Sequence, residues 1–145
     1  MFSEYLKIFF DNGHIAGAEI TAFLLDHSRL LSFRAHERTF HVFYMLLAGL
    51  DDESRAALRV RDVLDYDLMN PILLPGDDPN DGFLGSTDDD KAGFETLVAA
   101  FEAFGISKEA QQQVFRLLVG ILELGNITFY ESEEKFVVVR NVEVL

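Results

Sequence analysis

The sequence predicts an α+β chain: a two-stranded N-terminal hairpin, then a mainly helical bundle, then a short C-terminal β-hairpin. Three observations carry this. Asp11-Asn12-Gly13 separates two apolar runs, YLKIFF at 5–10 and IAGAEITAFLL at 15–25, and an Asn-Gly pair tolerates the positive φ of a tight hairpin turn. The stretch ERTFHVFYMLLAGL at 37–50 places Phe40, Phe43, Tyr44 and Leu47 at i, i+3, i+4 and i+7, the spacing of a helix with one buried face. Ile127–Tyr130 and Phe136–Val139 are β-like runs on either side of the polar turn ESEEK.

The first segment carries a competing pattern, because Ile20, Phe23, Leu24, His27 and Leu31 also fit a helical stripe. Residue pattern alone leaves strand and helix both open there. The helix at about 37–49 is expected to end on Gly49 as its C-cap. Asp51 or Asp52 can cap a short helix running to about Leu58, with Glu53 in its first turn. Residues 62–87 hold all three prolines (Pro71, Pro75, Pro79) and the run GDDPNDG, and read as a loop with one turn of helix. Recurring Leu68, Met69, Ile72 and Leu73 argue against a domain linker there.

Asp88–Asp90 put negative charge at a helix start, where the macrodipole favours it. That helix carries Phe94, Leu97, Val98 and Phe101 on its expected buried face and ends near Gly105. Ser107 is placed to cap the next helix, whose expected buried stripe is Val114, Leu117, Leu118, Ile121 and Leu122, ended by Gly125 and Asn126.

A chain of 145 residues with 49% hydrophobic residues can bury a real core and is not compositionally disordered. It has no apolar run of about 18 residues. The N-terminus MFSEYLKIFF lacks the basic region and small-residue cleavage site of a signal peptide. No cysteine is present, which excludes disulfides and thiolate metal sites and makes a cytoplasmic protein the simplest expectation. The formal net charge of −13, from 25 acidic and 12 basic residues, disfavours nucleic acid and direct membrane contact.

Two metal look-alikes fail on their chemistry. Asp77, Asp81, Gly82 and Asp88 fall at positions of a calcium loop, but Pro79 stands where a side-chain ligand is needed and the bidentate Glu is missing. His36-Glu37 with His41 is not a zinc helix motif, since the second histidine would have to be at Phe40. Five residues separate the imidazoles by about 140° around a helix. His41 is expected instead as a partly buried helix residue with a hydrogen-bond partner. No serine sits in a nucleophile elbow, and no G-x-x-x-x-G-K-[ST] phosphate loop occurs. No catalytic, cofactor-binding or metal-binding residue is therefore expected.

Three segments resemble the myosin motor head. IFFDNGHIAGAEITAFLLDHSRLL is similar to the family form I-x-F-x-x-x-G-x-I-x-G-A-x-I-x-x-Y-L-L-E-K-S-R-V, with Ile8, Phe10, Gly13, Ile15, Gly17, Ala18, Ile20, Leu24, Leu25, Ser28 and Arg29 matching. Phe23, Asp26 and His27 depart from it. In ERTFHVFYMLLAGL, Glu37, Arg38, His41, Phe43, Tyr44, Leu46, Leu47 and Gly49 match ERxxHxFYxLLxG, with Met45 where Gln is usual. VFRLLVGILELGNITF resembles I-F-x-x-x-A-x-I-L-H-L-G-N-I-x-F, with Glu123 in place of His, and Gly105-Ile106-Ser107 resembles G-F-S.

The resemblance implies a position in that machine, the upper 50-kDa region between switch I and the actin-contacting loops. Phe2 aligns with the Phe of switch I (N-x-x-S-S-R-F-G-K) and Met1 stands where its Arg would be. Val144-Leu145 falls before switch II. Asp90-Lys91-Ala92-Gly93-Phe94-Glu95 mimics the switch II spacing D-x-x-G-F-E, but follows a polar loop and precedes the LGNI segment, the wrong order for the family. It is expected to be an acidic helix start with Phe94 in the core.

What the resemblance implies is thus a partial motor-head domain over 1–145, with a sheet hairpin at 1–35 and a helical portion at 36–145. The intact parent would be an actin-activated ATPase of the cytoplasm and cytoskeleton, using ATP and Mg. Its partners would be the remainder of the motor head and the actin filament, and this chain alone would be inactive. Two other readings stand beside it: the myosin-like head of a fungal chitin synthase, and a free-standing acidic interaction module without catalysis.

Overall fold

The computed structural model describes residues 3–23, 37–70, 75–76 and 86–141. It divides into two compact units, Met1–Arg34 and Ala35–Leu145.

The first unit carries β1 (Ser3–Asp11) and β2 (His14–Phe23), an antiparallel pair. Asn12 and Gly13 turn the chain with φ of 47° and 83°. Positive φ at both central residues matches the right-handed twist of the strands they join. The pairing Phe9↔Gly17 is followed by Phe10↔Ile15, so Ala16 is an extra residue bulged out of β2. The competing helical pattern loses at Ile20 and Phe23, which lie in β2; Leu24, His27 and Leu31 lie outside the described residues, as do the matched Leu25, Ser28 and Arg29. Lys7 and Glu19 face each other across the pair at 3.9 Å, too exposed to add much. Tyr5, Phe10, Ile15 and Ile20 are also well exposed.

In the second unit α1 (His41–Gly49) is the hub. On one side Phe43, Tyr44 and Leu47 pack with Tyr66, Met69 and Leu122. On the other, Leu46 packs with Phe94, Phe115 and Val119. A helix that is apolar on both sides belongs in the middle of a bundle, not on one face of it. The helix starts later than the sequence suggests. Phe40, expected on the buried stripe, is its exposed N-cap and makes only an edge contact with Phe43, ring centres 6.2 Å apart. His41, expected to be partly buried, is exposed in the first turn.

The short α2 (Asp52–Leu58) is capped as expected: the Ser54 N–H donates to the Asp51 carboxylate at 2.7 Å. It ends on Arg59, whose φ of 54° is left-handed, with the Val60 N–H on the Arg55 carbonyl and the Arg59 N–H on the Ala56 carbonyl. This is a Schellman closure built without glycine. The irregular stretch that follows contains two 3-10 turns rather than one, Val63–Asp65 and Asp67–Met69. They bring Tyr66 and Met69 to full burial. Ile72, Leu73, Pro71, Pro79 and most of the calcium look-alike lie outside the described residues.

Ser86 and Ser107 cap α3 (Thr87–Ala103) and α4 (Lys108–Gly125) through the Asp89 and Ala110 N–H groups, each at 3.3 Å. Gly105, at φ 70°, closes α3 with the Ile106 N–H on the Phe101 carbonyl at 2.9 Å. Phe94 is buried on α3, with Val98 and Phe101 packed beside it. The stripe expected on α4 holds at Leu122, which is fully buried, and at Leu118, which packs on both clusters, but not at its other three positions. Phe115, Val119 and Leu122 are buried together with Gln111, whereas Leu117 is 65% exposed and Val114 and Ile121 are also exposed. Both sets obey the helical period, and the ring of Phe115 decides between them by stacking near Phe94 and Phe101, at 5.3 and 6.3 Å. β3 (Phe129–Glu131) and β4 (Val137–Val139) form the expected C-terminal hairpin, turned by Lys135 at φ 64°.

Candidate functional site

Three places in the helical unit gather the sequence's signature residues, and each holds elements together. The first is at the entry to α1. Arg38 donates to Asp90 in the first turn of α3 at 2.6 Å, and its guanidinium lies 3.8 Å over the Tyr44 ring. The Tyr44 hydroxyl in turn donates to the Met69 carbonyl at 3.3 Å. The arginine and aspartate side chains are 20% and 11% exposed, so water screens this pair far less than a surface one. Asp90 therefore does more than complement a helix dipole. Beside it, Arg38 Nε and Thr39 Oγ1 are buried without a hydrogen-bond partner among the described residues.

The second place is the α1–α3 contact. A Cβ on Gly49 would fall 2.2 Å from the Phe94 ring, and one on Gly93 would fall 2.9 Å from Met45. Gly49 is the last residue of α1, and Leu50 is its C-cap. The expected role for Gly49 as a C-cap is thus corrected: it is glycine because the Phe94 ring occupies the space a side chain would need. The switch II look-alike lies at the start of α3 with Phe94 in the core, as expected, and its Asp90, Gly93 and Phe94 meet Arg38, Met45 and Gly49.

The third is the end of α4. Asn126, 8% exposed, accepts the Asp67 N–H and donates to the Asp65 carbonyl, each at 2.8 Å, while its own carbonyl accepts from Asn141 at 2.6 Å. Gly125 lies against Leu68, with only 3.3 Å for a Cβ. The LGN run thus fastens α4 to the 3-10 turns and to the strand hairpin. Residue pattern alone gives only a helix stop there, because Asp67 and Asp65 stand 59 and 61 positions away.

A shallow cleft of about 180 Å³ opens beside these contacts, lined by Tyr44, Leu47, Arg55, Arg61, Thr87 and Asp90 among others. Its arginines are already engaged. Arg55 donates to the Leu47 carbonyl. Arg61 pairs with Glu123, whose hydrogen bond holds the guanidinium still more firmly protonated, and lies 5.2 Å from the Tyr66 ring. Glu123, the departure from the family's His, therefore has a structural partner. The hydroxyls of Ser86, Ser107 and Ser132 accept backbone N–H groups at two helix starts and a turn. Among the described residues no cluster of three or more His, Asp or Glu could hold a metal ion, and no helix is long and apolar enough to cross a membrane.

The sequence matches the family model for the myosin head (motor domain) over residues 1–143. It is 39% identical to Myosin-2 of Lachancea kluyveri over 127 residues, 87% of this chain and 8% of that protein. It is 36% identical to the unconventional myosin-XV of Homo sapiens over 132 residues, 91% of this chain and 4% of that protein. With the Myosin-K heavy chain of Dictyostelium discoideum it shares 35% identity over 130 residues, 88% of this chain and 14% of that protein. The chain thus spans only a small part of the length of these relatives. A match across nearly the whole chain, with relatives more than 30% identical over most of it, places this chain in the myosin head (motor domain) family.

Proposed function

We propose that this chain is a transmitting segment of a myosin-type motor, and that the intact parent couples ATP hydrolysis to movement along actin. The observation that carries this reading is that the matched signature residues Arg38, Tyr44, Leu46, Gly49, Gly125 and Asn126 serve packing between elements. Phosphoryl transfer to water needs a phosphate cradle and metal-holding side chains, and the sequence contains no phosphate loop. ATP and Mg would accordingly be bound by other parts of the parent. This segment would supply a stiff body through which a nucleotide-dependent displacement reaches the actin-contacting surface, the kind of conformational step that gates product release. Its partners are then the remainder of the head and, through the parent, the actin filament, in the cytoplasm and cytoskeleton.

The test is steady-state ATP turnover by the intact parent head, with and without filamentous actin, beside the 145-residue chain alone. The expected result is turnover by the head that actin accelerates, and none by the chain. A parent that binds nucleotide but neither hydrolyses it nor binds actin would overturn the motor reading.

A further inference from the structure

We propose that Arg38 and Asp90 form a positioning clamp that delivers displacement of the backbone entering α1 to α1 and α3 together; this rests on the motor reading above. Arg38 lies four residues after Arg34, the last residue of the N-terminal unit. Residues 37–40 are not helical, and Phe40, the N-cap of α1, offers no side-chain cap. The first amides of α1 therefore gain no hydrogen bond from the Phe40 side chain. Arg38 anchors this entry from outside the helix. One guanidinium holds Asp90 on α3 at 2.6 Å and stacks 3.8 Å over Tyr44 on α1, while Tyr44 reaches the Met69 carbonyl. A bidentate-capable, planar cation is the side chain suited to meeting a carboxylate and an aromatic face at once.

The helices behind the clamp are joined without slack. Gly49 seats α1 directly against the Phe94 ring and Cβ of α3, a close approach that resists sliding of the two helices. A pull arriving at Glu37 thus reaches both helices through Arg38 rather than fraying the first turn of α1. The entry segment also has something to gain by rearranging. Arg38 Nε and Thr39 Oγ1, on adjacent residues, are buried and unpaired among the described residues. Buried polar groups of this kind are rare and costly, so an arrangement of residues 37–40 that satisfies them competes with this one. Arg38 and Asp90 touch no substrate and are positioning residues, not catalytic ones.

The test uses the intact parent head carrying Arg38→Lys or Asp90→Asn. Lysine keeps the charge but loses the planar fork; asparagine keeps the shape and one acceptor oxygen, which protects the fold. Melting midpoint, basal ATP turnover and actin-activated turnover are measured together. In each variant basal turnover is expected to stay within about twofold and actin activation to fall roughly five- to tenfold, the size of a typical coupling between sites. Unchanged activation, or an equal loss of both rates, would mark the pair as purely structural and overturn the clamp. A wild-type head without actin activation would overturn the motor reading and the clamp with it; an activated wild type with unaltered variants overturns the clamp alone.

Discussion

The two units solve the problem of burial in opposite ways. In the helical unit Tyr66, Met69 and Leu122 are fully buried, and α1 is apolar on both sides because it is packed on both sides. In the hairpin unit Phe10, Ile15 and Ile20 are 66, 70 and 67% exposed, on strands with a well-formed turn and register. An isolated two-stranded hairpin is marginal in water. The difference teaches that local rules suffice to shape the hairpin but do not stabilise it, whereas the helical unit carries its own core. The exposed strand faces are apolar surface of the kind that marks an interaction.

Substitutions can break or sharpen that contrast. The largest effect is expected for Leu122→Ala, which empties a fully buried site and should cost about 2–5 kcal/mol of unfolding free energy in urea. Gly49→Ala comes next, at about 1–3 kcal/mol, because the new methyl group must displace the Phe94 ring. Arg59→Gly should act in the other direction and stabilise by about 0.5–1 kcal/mol, since glycine adopts the left-handed backbone at φ 54° without a steric penalty. Ile20→Ala in the hairpin should change the melting transition of the helical unit by less than about 0.5 kcal/mol. A loss there comparable to Leu122→Ala would erase the distinction between the two units.

A pH series probes the same unit more gently. The Ser54 N–H holds the Asp51 carboxyl below its ordinary value of 3.8. A depressed carboxyl contributes stability above its unfolded value and loses it as pH falls through its folded value. Wild type should therefore be more stable than Asp51→Ala at neutral pH, with the gap closing only as the solution is acidified below about pH 4. Amide exchange at Ser54, compared between the two proteins, reads this directly.

Much of the backbone was legible in the sequence because its signals are local. Asn12-Gly13 marks the turn, Ser107 a cap, Gly105 the close of α3, and Asp51 is one of the two caps the sequence offers for α2. Tertiary choices were not. On α4 two interleaved stripes share one period, and only the Phe94 and Phe101 rings favour the face bearing Phe115 over the one bearing Leu117. At Gly49 a terminal glycine looked like a cap, but the reason for it stands forty-five positions later in Phe94. The Arg38–Asp90 pair spans 52 positions, and Asp90 was hidden in a run of acids that a helix start already explained. Family resemblance points to Arg38 and Gly49 without saying what they touch.

The contrast between the units is tested most directly by native-state hydrogen exchange on the 145-residue chain. Amides in α1, α3 and α4 should open only with global unfolding, the slowest of them near Leu46, Phe115 and Leu122, while those of β1 and β2 exchange close to the rate of an unprotected chain. Equal protection of hairpin and helices would contradict it.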